Sequence, residues 1–310
     1  MSSSCQFDKD AGEAMRLAVS RFRTKMEASN RQFIQDRYDE IDGMDVTDKE
    51  KVCKIAIYLR GLTYATSWAD VKSYSHRLMD GVESPTIVSD EWRQMFLETW
   101  EAFSNENFYR DNEEEDNKGF HIPMPHDLVP FIKYTNGVED PDFRLSGIPS
   151  FDPVWGLGDS PSGPVFDISE AREELRKTLG DYLCDDWLSN ALDSLDEDLE
   201  VKIGFRTGTG CKQDAGIWYD AWESTYAYCR RFAEDDDPRH RDWAWRVVIY
   251  PAEWADDGPT TPYGPKKPIF DSIVEFLDWY GSWMDHLDMD KVREDILEAE
   301  RDDGMGPATY

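Results

Sequence analysis

At 310 residues, with 34 Lys and Arg against 65 Asp and Glu, the chain carries a formal net charge of −31. A field of that sign repels phosphate backbones and anionic lipid surfaces, which argues against nucleic-acid and membrane binding by the main body and favours a basic protein partner. The 40% apolar and 13% aromatic content is nevertheless that of a globular chain with a sizeable core.

The charge is unevenly placed. Residues 1–80 balance 13 basic against 13 acidic groups, so the whole excess falls on residues 81–310. No run of 18 apolar residues predicts a transmembrane helix, and the first ten residues lack the basic and apolar regions of a secretory signal. Five scattered Cys (5, 53, 184, 211 and 229) with no C-x-x-C pair predict free thiols in a reducing compartment, hence a cytoplasmic or nuclear protein.

In chain order, residues 9–42 read as one long amphipathic helix. Met15, Val19, Phe22, Met26, Ser29 and Phe33 recur by fours and threes, and Gly43 ends the run. Thr47-Asp48-Lys49-Glu50 forms a capping box opening a second helix, and Ser67 opens a third. The composition shifts around 81–85. The expected organisation is a helical region over 1–85, a main α+β domain over 86–286, and a C-terminal helix and tail over 287–310.

A helix from Ser89 to about Phe103 presents Trp92, Phe96, Trp100 and Phe103 on one face. Residues 111–118 form a dense acidic run expected to lie exposed, because so many like charges cannot be buried. The most informative stretch is 123–137. Asp127 reads as an N-cap, Pro130 falls in the first turn, and Leu128, Phe131, Ile132 and Thr135 make one buried stripe. Asn136-Gly137 reads as a left-handed closure.

Residues 138–168 read as loops and short strands, and 169–199 as helix with Leu175, Leu179, Leu183 and Leu188 inward. The alternation in 201–206 predicts a strand, followed by a turn at Gly208 and Gly210 and a partner strand at 215–219. A short helix is expected at Tyr226–Phe232. Trp245–Tyr250 is the strongest strand, 271–283 a helix, and 290–301 a last charged helix.

The chemistry-bearing patterns are weak. Gly208-Thr209-Gly210-Cys211-Lys212 lacks the G-K-[ST] order of a phosphate loop, with Gln213 where a hydroxyl should bind magnesium, so a hairpin turn is the expected reading. The five His (76, 121, 126, 240 and 286) show no metal-ligand spacing, so no metal and no cofactor are expected. Cys211 and His240 have no surrounding nucleophile signature, which favours a structural thiol. Carboxylate pairs such as Asp185-Asp186 and Asp196, Asp198 and Glu200, with Trp218, Trp222, Trp243, Trp245 and Trp254, leave a carbohydrate hydrolase as the alternative. No nucleophile, base and orienting group assemble, and a non-enzymatic role is favoured.

The wording of 123–137, carried by Pro125, Asp127, Phe131, Asn136 and Gly137, resembles the "L-P-x-D-L-x-x-F-L-x-x-T-N-G" helix of the SUKH superfamily. That group includes fungal cell-wall assembly regulators and bacterial toxin-immunity proteins. Ser272-Ile273-Val274-Glu275-Phe276-Leu277 is similar to the family's closing helix, and the likeness spans 87–285. Met124 replaces the usual Leu, a helical insert sits at 169–199, and the Gly-Asp step of the central hairpin is not evident. The resemblance implies a curved, mainly antiparallel sheet flanked by helices, binding other proteins without catalytic residues. Asp214, Trp218, Tyr219, Asp220 and Trp222 are then the expected recognition residues, since aromatics beside acids suit a basic partner.

Overall fold

The computed structural model describes residues 9–56, 67–73, 80–87, 89–108, 120–139, 149–154, 168–183, 199–214, 217–231, 242–251 and 269–282. Within them the chain is α+β. Helices α1 (Lys9–Asp42), α2 (Asp48–Ala56), α3 (Trp68–Ser73), α4 (Asp90–Asn107), α5 (Leu128–Tyr134) and α6 (Ile168–Asp181) precede a sheet. The sheet contains β1 (Leu199–Asp214), β2 (Ile217–Arg231), β3 (Ala244–Pro251) and β4 (Ile269–Phe270), and α7 (Ile273–Ser282) closes the series. The strands lie in the order β1-β2-β3-β4, every neighbour antiparallel.

One apolar cluster joins the helices to one face of the sheet. Phe96, Trp100 and Phe103 of α4, Leu175 and Leu179 of α6, and Phe276, Leu277 and Tyr280 of α7 meet Phe205, Tyr226, Tyr228, Trp245, Val247 and Ile249. Trp100 lies at its centre, with ring centroids 4.6 Å from Phe205 and 6.4 Å from Trp245. The offset and tilted geometries are those that aromatic quadrupoles favour. The opposite sheet face carries a second, smaller cluster of Ala227, Cys229, Val248 and Tyr250.

The long first helix forms as its periodicity predicts. Met15, Val19, Phe22 and Met26 are buried in the main cluster, so the first half of α1 is part of the domain core. Its second half carries α2 and α3. The Tyr38 hydroxyl donates to the Val71 carbonyl at 3.1 Å, and the Trp68 indole N–H donates to Asp42 at 2.6 Å. The capping box forms at Thr47, with Glu50 N–H to Thr47 Oγ1 at 3.3 Å and Thr47 N–H to the Glu50 carboxylate at 2.8 Å. Residues 81–83 pair with 137–139 across Gly81, which has φ +65°, so the compositional shift there coincides with a packed turn.

Four local expectations are corrected. Residues 226–231 are strand and not helix, because Tyr226 and Tyr228 alternate with Ala227 and Cys229 between two apolar clusters, a period of two. Gly208 and Gly210 lie inside β1 and make no turn; a Cβ at Gly208 would meet the Ser150 carbonyl at 2.2 Å, so the glycine admits a crossing backbone. Leu183 leaves the helix and bridges Phe205. Gly137 is not left-handed: among the described glycines only Gly81 has positive φ, and α5 ends on an extended Thr135. The expected acidic loop at 111–118 and the last helix at 290–301 lie outside the described residues.

Candidate functional site

Helix α5 is short because its chain is pinned at both ends. Pro125 accepts the Leu128 N–H at 3.2 Å, and Leu128, Phe131 and Ile132 are fully buried, with Phe131 edge-on to Phe151 at 5.4 Å. Asp127 occupies the N-cap position with helical φ and ψ, yet its side chain makes no capping bond to α5. Its carboxylate instead accepts the Tyr226 hydroxyl of β2 and the Ile273 N–H of α7, the latter at 2.7 Å. One acid therefore ties α5, the sheet and the closing helix together.

Burial raises the pKa of Asp127 above the ordinary aspartate value, against the opposing pull of the Tyr226 hydroxyl and the Ile273 N–H. Burial and then the Asp127 charge push the Tyr226 phenol well above 10. At the other end, Asn136 brackets Thr86: its Oδ1 accepts the Thr86 N–H at 2.8 Å and its Nδ2 donates to Thr86 Oγ1 at 2.9 Å. Gly137 serves close approach, since a Cβ there would meet Asp152 Cβ at 2.9 Å and the Phe151 carbonyl at 3.0 Å. Pro125, Asp127, Phe131, Asn136 and Gly137 thus each make a contact that holds this segment in the fold.

The hairpin carries the expected recognition residues. Asp214, Trp218, Tyr219 and Asp220 occupy the outer four rungs of the β1–β2 ladder, from Cys211↔Asp220 to Asp214↔Ile217. Their side chains lie outside the described residues. Trp222 sits one step inward, opposite Pro251 of β3, half-buried against the main cluster. The backbone brings the five together at one end of the sheet, with Trp222 at the rim of the core.

A polar group on the opposite sheet face escaped the sequence reading. The Tyr250 hydroxyl donates to Glu223 at 3.0 Å and lies 2.9 Å from Thr225 Oγ1, and Arg206 stands 3.9 Å from the other Glu223 oxygen. Nearby, the buried Arg246 donates to Asp271 at 2.8 Å and to the Cys229 carbonyl at 2.6 Å. The only available signal was the polar run Glu223-Ser224-Thr225 inside an otherwise aromatic strand.

The remaining candidates take ordinary places. His121 lies 3.2 Å from Glu101, and His126 is exposed beside α5. Among the described residues no three His, Cys, Asp or Glu side chains converge as a metal site. Trp245 is buried and donates to the Pro123 carbonyl at 2.7 Å, while Trp243 lies beneath Arg230 at 4.8 Å and Lys202 at 5.4 Å. Glu200 pairs with Arg230 at 2.6 Å. Asp185, Asp186, Asp196, Asp198, Trp254, His240 and the Cys211 side chain lie outside the described residues. Among the described residues no helix is long and apolar enough to cross a membrane. Comparison with family models, with curated proteins and with solved structures returned no match.

Proposed function

We propose that this chain is a SUKH-like, non-enzymatic protein-binding module that engages a basic protein partner through the outer end of its β1–β2 hairpin. The observation that carries the reading is the joint at Asp127. The helix whose wording resembles the SUKH signature lies against an antiparallel sheet, headed by an acid that grips both the sheet and the closing helix. Its residues are spent on holding the fold, which leaves the hairpin end as the candidate binding surface. The net charge of −31 favours a basic partner and a fast, salt-sensitive encounter.

The test uses the immobilised full chain and cell extract at about 0.05 M and about 0.3 M salt, where the screening length differs more than twofold. A partner held by the wild-type chain at low salt, released at high salt, and retained about tenfold less by the Asp214→Asn/Asp220→Asn variant is the expected result. Equal retention by the variant removes the hairpin from the interface. Release of reducing ends from soluble polysaccharides by the purified chain would replace the binding reading with a hydrolase.

A further inference from the structure

We draw no further inference here: the strongest candidate, the Lys202, Arg230 and Trp243 cluster at the Leu199↔Arg231 end of the β1–β2 ladder, has both cations already paired with Glu200 and set over the Trp243 ring, and the adjoining chain at 184–198 and 232–241 lies outside the described residues, so nothing in the structure shows what covers it.

Discussion

The Asp127 carboxylate accepts the Ile273 N–H at 2.7 Å, so the residue placed to cap α5 caps α7, 146 positions later in the chain. A carboxylate at a helix N-terminus is favoured both by the free N–H groups and by the helix dipole. Its second oxygen takes the Tyr226 hydroxyl, which fixes the sheet to the same point. The segments 125–137 and 272–277 are thus physically one joint.

Asp127→Ala should cost about 2–4 kcal/mol, because it leaves a buried hydroxyl and a helix N–H without their acceptor. Asp127→Asn retains one acceptor and isolates the titration. Burial raises the folded pKa of Asp127, so the folded chain holds its proton at pH values where the unfolded chain has lost it. The stability this group adds is therefore fully present below the ordinary aspartate pKa and is lost as pH rises through the folded value. Urea unfolding followed upwards from the ordinary aspartate pKa should show the wild-type chain losing stability relative to Asp127→Asn as pH rises. A difference that stays flat or moves the other way contradicts the assignment.

The periodic elements were legible because burial on one side imposes a repeat. The stripes at Met15–Met26, Phe96–Phe103 and Leu128–Ile132 are each one face of a helix, and all are buried. Residues 226–229 were misread because both sheet faces are covered there: Tyr226 and Tyr228 feed one cluster, Ala227 and Cys229 the other, and the polar alternation vanishes. The roles of Asp127, Asn136 and Gly137 were not legible in their own segment. Each is decided by a partner (Ile273, Thr86 or Asp152) that lies distant in sequence, and local capping rules do not reach that far.

The first half of α1 should be inseparable from the domain, and two adjacent residues separate packing from charge. Phe22 lies 5.2 Å from the Tyr280 ring, while Arg21 pairs with Asp278 at 2.8 Å on the surface. Phe22→Ala should cost about 3–5 kcal/mol through the cavity it leaves. Arg21→Ala should cost at most about 1 kcal/mol, since both partners are half-exposed and solvent screens the pair. Denaturant midpoints of the two variants check this, and comparable losses would mean that charge carries the α1–α7 contact.

Two glycines should fail for different reasons. Gly81→Ala is opposed both by φ +65° and by the Glu139 carbonyl 2.4 Å from the new Cβ. Gly137→Ala has an ordinary backbone conformation and meets Asp152 and Phe151 at 2.9–3.0 Å. Overpacking of that kind typically costs about 1–3 kcal/mol, and strain adds to it at Gly81. Gly81→Ala should therefore lower the thermal midpoint more than Gly137→Ala; the reverse order would mean that the 137–152 contact is the less yielding of the two.

The polar group on the outer sheet face should behave as one coupled unit. Tyr250→Phe removes a hydroxyl that faces both Glu223 and Thr225, leaving the Glu223 carboxylate buried with Arg206 at 3.9 Å. Losing a partner of a buried charge costs more than losing a neutral hydrogen bond, so about 1–3 kcal/mol is expected for Tyr250→Phe. Thr225→Val keeps the side-chain shape and removes the neutral hydroxyl that faces Tyr250, and should cost about 1 kcal/mol. Because both changes act on the same hydroxyl, the double variant should fall short of the sum by at least about 0.5 kcal/mol in a mutant cycle. Strict additivity would mean that Thr225 and Tyr250 are neighbours without an energetic link.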